Sequence, residues 1–140
     1  MKRIASIQDV SCLGRCSQTV ALPVVSAMGV ECAILPTAVL STHTSFPDFR
    51  CLDLTDQLLP VARHWKAQGV RFDALYTGYL ASDRQVAVVL ELLELLREEG
   101  TLLFVDPAMA DHGKLYAGFG PEFPALMAQV VSKAQITVPN

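Results

Sequence analysis

Leu102-Leu103-Phe104-Val105-Asp106-Pro107-Ala108-Met109-Ala110-Asp111 carries a short apolar run into two carboxylates separated by a proline turn. A run rich in branched and aromatic side chains predicts a buried strand of a parallel sheet. Ligands of open α/β sheets bind just beyond the carboxyl ends of such strands. Asp106 and Asp111 are therefore candidates for contact with a ligand or a cation.

Outward from that strand, the pattern alternates between strand and helix. On its amino-terminal side Ser82 precedes Gln85 by three, the capping-box spacing. Val86, Val89, Leu90, Leu93 and Leu96 then give the apolar face of a helix that ends at Gly100. Upstream, Asp73 to Tyr76 predicts a short strand leading into Thr77-Gly78-Tyr79-Leu80. Leu58, Leu59, Ala62 and Trp65 predict a helix from Leu54 to Gln68, with Pro60 in its first turns and a stop at Gly69.

Nearer the start, Ile4 to Gln8 predicts a first strand and Asp9 to Arg15 a polar turn. A helix is expected from about Ser17 to Met28, closed by Gly29. Glu31 to Leu35 predicts a strand ending at Pro36, Thr37 to Thr44 a further extended piece, and Ser45 to Asp53 a loop. Beyond Asp111 the pattern predicts a helix from about Pro121 to Lys133, with proline at its start, and a last strand from Gln135 to Val138. Repeated strand and helix units of this kind imply a mainly parallel sheet with helices covering its faces, in one α/β domain spanning 1–140. A final parallel strand with no helix after it reads as an unfinished sheet, with an apolar edge at Ile136 and Val138.

Composition narrows the class. The 140 residues are 51% hydrophobic, enough to fill a sizeable core. A net charge of -3, with lysines and arginines scattered singly, gives no basic stripe for nucleic acid. No span approaches the ~18 apolar residues of a membrane-crossing helix, and the first residues lack a signal peptide's apolar core. A cytoplasmic protein is expected. Cys12, Cys16, Cys32 and Cys51 show no Cys-x-x-Cys spacing and no nearby histidines, so reduced, partly buried thiols are expected instead of a zinc site. One thiol of the first loop, Cys12 or Cys16, can line a pocket.

Five short motifs stand in order along the chain: Ile7-Gln8-Asp9, Ser41-Thr42-His43-Thr44, Thr77-Gly78-Tyr79-Leu80, Asp106-Pro107-Ala108-Met109-Ala110-Asp111 and Val138-Pro139-Asn140. In order and spacing they resemble the amino-terminal half of the pyridoxal kinases, members of the ribokinase-like superfamily. The resemblance implies a three-layer α/β/α fold, truncated relative to an intact kinase, and a homodimer. It implies phosphoryl transfer from ATP, with Mg²⁺, to the 5′-hydroxyl of pyridoxal, pyridoxine or pyridoxamine. Hydroxymethylpyrimidine kinase is the nearest alternative activity, and a non-catalytic binding remnant is a third.

Residue by residue, the resemblance puts Asp9 against the pyridine ring, Thr44 and Ser45 on the substrate-facing end of their segment, and Tyr79 on the ring's flank. It puts Asp106 and Asp111 toward the nucleotide phosphates and their cation. A flat heteroaromatic ring needs an apolar or aromatic wall plus a few placed polar groups, and Mg²⁺ is commonly held through one or two carboxylates. The family's catalytic Asp lies in a Gly-x-Gly-Asp segment, and no such segment occurs here. Gly118-Phe119-Gly120 is followed by Pro121, which offers neither a carboxylate nor an N–H. These 140 residues alone are expected to be inactive, with no catalytic residue among them.

Three departures from the family pattern are visible. Ala110 and Ala81 stand where glycines are usual, and Ser45-Phe46 replaces a frequent Gly-Gly. A positive φ at either alanine would strain the loop. Structural readings stand beside the functional ones: Asp106-Pro107 is a common way to leave a strand, Asp111 can cap the turn at His112-Gly113, and Tyr79 can be a core tyrosine. His43, His64, Trp65 and His112 are expected in packing or solvent.

Overall fold

The computed structural model describes residues 1–139, so Asn140 of the last motif lies outside the described residues. Six strands form the main sheet: β1 (Arg3–Ser11), β2 (Glu31–Leu40), β3 (Cys51–Asp53), β4 (Ala74–Thr77), β5 (Leu102–Val105) and, in sheet position after β5, a strand at Ile136–Thr137. A two-stranded ribbon, β6 (Ala110–Asp111) with β7 (Lys114–Leu115), stands apart, which makes Ile136–Thr137 β8 in chain order. The order across the sheet is β3-β2-β1-β4-β5-β8, with every pair parallel except β2 with β3. The mainly parallel α/β sheet expected from the sequence is the one observed.

The helices are α1 (Gln18–Ala27), α2 (Thr55–Ala67), α3 (Asp83–Leu96) and α4 (Phe123–Val131). Strand alternation sorts them into two layers. Ala5 and Ile7 of β1, Leu35 of β2, Leu75 of β4, and Leu103 and Val105 of β5 face Leu58, Ala62, Val89, Leu93, Phe123 and Met127 of α2, α3 and α4, all buried in one apolar core. The residues between them, Ser6, Gln8, Tyr76 and Phe104, face the other way, toward the side that α1 covers in part. The fold is thus three-layered, α/β/α.

Helix α3 begins as its sequence dictates. Ser82 is extended, and its hydroxyl accepts from the Gln85 N–H, which satisfies a free donor of the first turn. Gln85 also ties the helix inward. Its side-chain carbonyl accepts from Ala81 N–H, while its amide donates to the Thr37 carbonyl and the Thr55 hydroxyl. One buried glutamine so joins α3, β2 and α2.

Three details differ from the sequence expectation. Strand β2 does not stop at Pro36 but runs on to Leu40. Proline is tolerated there because β3 pairs with β2 only from Ala38, and because the β1 register shifts between Gln8 and Val10, opposite Pro36. Cys51–Asp53, expected as loop, is an exposed antiparallel edge strand. The ribbon after Asp106 was also unforeseen: His112 and Gly113, at φ 50° and 75°, make a two-residue turn of the kind that closes tight hairpins. Ala81 and Ala110 are not among the positive-φ residues, so alanine is not strained at either.

Candidate functional site

The site lies at the carboxyl ends of β1, β2, β4 and β5. Strand β1 delivers Gln8 and Asp9, which are each 5% exposed although neither is apolar. A buried carboxylate must be hydrogen-bonded, and Asp9 is. Its Oδ1 accepts from the Ser17 hydroxyl at 2.6 Å and its Oδ2 from the Ser11 hydroxyl at 3.3 Å. The Gln8 amide donates to the Ser6 hydroxyl at 3.1 Å, and Gln18 at the start of α1 donates to the Ser6 carbonyl at 2.6 Å. The chain must pass close over Gln8 at Gly78, where a Cβ would sit 2.9 Å from Gln8 Oε1.

Two adjoining cavities open on this end of the sheet. The larger, about 740 Å³, is lined by Asp9, Ser17, His43, Thr44, Ser45, Tyr79, Asp111 and Lys114 among others. That volume suits a small organic ligand. The smaller, about 400 Å³, lies under α1, where Val20, Val24 and Val25 face Gln8, Tyr76, Tyr79 and Asp106. Arg15, Cys16, Ser17, Tyr79 and Ala108 line both.

Of the residues singled out from the sequence, Asp9, Thr44, Ser45, Tyr79 and Asp111 therefore share one cavity. Asp106 lies on the other, so the two acids are not brought onto a single wall. Asp111, on β6, is exposed and accepts from the Tyr116 hydroxyl at 3.1 Å. Asp106 is half-buried, and desolvation pushes its carboxyl above the ordinary range. A carboxylate in that condition gains from a nearby cation. Among the described residues no three His, Cys, Asp or Glu side chains cluster as a metal site, so any cation here needs oxygens from its ligand to complete the shell.

Aromatic rings form one wall. Tyr79 lies 5.6 Å from Phe119 and 6.1 Å from Tyr116, ring centre to ring centre, and Phe119 stacks on Phe123 at 3.8 Å. Burial, and next the negative charge of Asp9, push the Tyr79 phenol up, so it stays protonated and able to donate. His43 lines the larger cavity but is occupied locally. Its Nδ1 accepts from Ser45 N–H at 3.3 Å, and its ring meets Phe46 edge-on at 4.8 Å.

Sequence reasoning missed Gln8 as a lining residue, along with Arg15, Ser17, Lys114 and Tyr116. Gln8 had the only readable signal, a polar residue ending an apolar strand. Of the two loop thiols, Cys16 is the one that reaches the cavities; Cys12 is exposed.

No family model matches the chain. A candidate phosphomethylpyrimidine kinase from Bacteroides thetaiotaomicron is 43% identical and superposes with a TM-score of 0.96, over 99% of this chain and 48% of that one. In sequence and in fold the chain groups with the pyridoxal and phosphomethylpyrimidine kinases of the ribokinase-like family. Pyridoxal kinase from Lactobacillus plantarum is 35% identical, with a TM-score of 0.91 over 100% of this chain and 50% of its own. A candidate pyridoxal kinase of Schizosaccharomyces pombe is 27% identical over 119 residues, 82% of this chain and 38% of that protein. The chain thus spans about half the length of its solved relatives, and less of the yeast one. The Bacteroides protein has also been crystallised with pyridoxal.

Proposed function

We propose that these residues form the ring-binding part of an ATP-dependent kinase acting on pyridoxal or a close vitamin B6 relative. The observation that carries the reading is the larger cavity, which gathers Asp9, Thr44, Ser45 and Tyr79 from separate segments around a space fit for one aromatic ring. The Bacteroides relative, which was crystallised with pyridoxal, supports the ring class. Tyr79 supplies an aromatic wall, Thr44 and Ser45 supply hydroxyls, and Asp9 supplies an acceptor fixed by two protein hydroxyls.

In the reaction the 5′-hydroxyl oxygen bonds to the γ-phosphorus of ATP, ADP leaves, and the hydroxyl proton passes to a base. Catalysis of this kind is positioning and charge neutralisation. Asp106 would hold Mg²⁺ together with the phosphates, and the ion would neutralise phosphate charge when bound; Asp111 lines the other cavity, so it would face the same phosphates from across the site instead of sharing one wall with Asp106. The half-buried placement of the Asp106 carboxyl on the smaller cavity, which desolvates it, is the structural feature that fits this role. The residues contain no Gly-x-Gly-Asp segment, so the 140-residue chain binds the ring without transferring phosphate. We assign the kinase to the cytoplasm as a homodimer; among the described residues no helix is long and apolar enough to cross a membrane.

A second reading, hydroxymethylpyrimidine as substrate, is favoured by the 43% identical relative, a candidate phosphomethylpyrimidine kinase whose ring is of that class. Calorimetric titration of the purified chain with pyridoxal, pyridoxine and hydroxymethylpyrimidine separates the two. Preferential binding of the B6 ring supports the first reading, preference for the pyrimidine supports the second, and binding of neither overturns both. Formation of pyridoxal 5′-phosphate from ATP by the isolated chain would overturn the claim that it cannot transfer phosphate. Mg²⁺ is expected to raise the melting temperature of the native chain in the presence of ADP more than that of Asp106→Asn. An equal rise would remove Asp106 from the cation site.

A further inference from the structure

Ser17 stands at the junction of the two cavities, between β1 and α1, and its backbone and side chain both depart from what a serine there normally does. Its φ of 51° with ψ of -128° falls in the region that favours glycine. A side chain held there is strained, and such strain persists only where surrounding contacts enforce it. Ser17 is also the residue at which α1 begins, where a serine hydroxyl ordinarily accepts from an N–H of the first turn and so stabilises the helix. It makes no such bond. Its hydroxyl instead donates to Asp9 Oδ1 at 2.6 Å. A glycine would fit the backbone without strain, and a conventional cap would stabilise the helix. The serine does neither.

We propose that Ser17 is a positioning residue, which fixes the Asp9 carboxylate as an acceptor for an N–H or O–H donor on the ring of the bound ligand. The inference rests on the vitamin-kinase reading above. Asp9 is 5% exposed and lines the larger cavity with Thr44, Ser45 and Tyr79, so it is oriented by its neighbours and not by water. Ser17 on Oδ1 and Ser11 on Oδ2 anchor the carboxylate through both its oxygens. Its remaining lone pairs are available to a ligand. With both oxygens already accepting from serine hydroxyls, Asp9 presents an acceptor, so the site favours a ring whose edge carries a hydroxyl or a protonated nitrogen, and disfavours one that presents a bare acceptor there.

The substitution that isolates this role is Ser17→Gly, because it removes the hydroxyl while relieving the backbone. The native chain and the variant are titrated with pyridoxine, with its analogue lacking the ring hydroxyl, and with its N-methylpyridinium analogue. The native chain is expected to discriminate against at least one analogue. Ser17→Gly is expected to melt at the same temperature or higher, to bind pyridoxine about tenfold more weakly, and to lose most of that discrimination. A hydroxyl that merely held the fold would lower the melting temperature and leave the ratio between ligands unchanged, and that result overturns the inference. Unchanged affinity and ratio overturn it as well. If the native chain binds none of the three rings, the proposed function itself fails, and this inference with it.

Discussion

The two faces of the sheet are built from alternate residues of the same strands, yet they do opposite work. One register row, Ala33, Ala5, Leu75 and Leu103, looks onto α2, α3 and α4 and is apolar throughout. The adjacent row, Ile34, Ser6, Tyr76, Phe104 and Ile136, looks the other way. There the sheet carries a serine, a tyrosine set edge-on to Phe104, and apolar ends at Ile34 and Ile136 that are 40% and 41% exposed. Close packing of hydrocarbon on the first face stabilises the fold. The second face spends its area on buried polar groups and open volume, which stabilise little but recognise much.

The widest separation between the faces is expected at Leu103. It is fully buried, and Leu103→Ala leaves a cavity in the core. A loss of about 2–5 kcal/mol is expected, measured by urea denaturation. Ligand affinity, measured under conditions where the variant is still folded, should be nearly unchanged. A loss below about 1 kcal/mol would show that the core face is less tightly packed than its burial implies.

How much of this contrast could be read in advance follows from the same physics. The core face was legible because burial imposes period: Leu58, Leu59, Ala62 and Trp65 marked α2, Ser82 and Gln85 marked the start of α3, and the apolar run at 102–105 marked β5. Asp9, Thr44 and Tyr79 were legible only through their motifs, and Ser45 only as the residue following one, since a polar residue beyond a strand carries no period. The remainder depends on contacts distant in sequence. Pro36 within β2 is tolerated because of where β3 begins and where β1 bulges, and neither is written near Pro36. Ser17 stood in the sequence only as the approximate start of a helix, and its hydroxyl goes to Asp9 because β1 and α1 fold against each other. Asp106 and Asp111 are close in sequence, but the ribbon turned by His112-Gly113 carries Asp111 to the other cavity.

A smaller loss of stability with a larger loss of binding is expected on the site face at Gly78. A methyl group there would press on the buried Gln8 side chain, within 3.0 Å of its Cγ and Cδ. Gln8 must move, since Gly78 is held by its N–H bond to the Ile7 carbonyl. Gly78→Ala is expected to cost about 1–3 kcal/mol in denaturation, and to weaken pyridoxal binding by displacing Gln8 and the Tyr79 that follows. If binding is lost without any shift of Gln8 in a structure of the variant, the site's dependence on this close approach is refuted.

The finest contrast is between a carboxylate of the site face and one on the exposed edge of the sheet, which respond to pH with opposite sign. Asp106, in the smaller cavity, has its carboxyl raised by desolvation. Its protonated form suits the fold better, so its contribution is complete below the ordinary value of 3.8 and is lost as pH rises through the raised one. Asp53 at the β3–α2 junction is the opposite case. Hydrogen bonds from the Thr55 hydroxyl and N–H hold its carboxyl down, so its contribution is present above 3.8 and is lost on acidification through the lowered value. Melting curves from about pH 3 to about pH 7 should therefore diverge. Asp106→Asn gains on the native chain as pH rises, whereas Asp53→Asn falls behind it. A ligand-bound cation at Asp106 should erase the first difference and leave the second, because burial alone shifts Asp106 among the described residues, whereas Asp53 already has the Thr55 donors. If the Asp106→Asn difference is flat with pH, desolvation does not govern that carboxylate, and its assignment to a cation loses its physical basis.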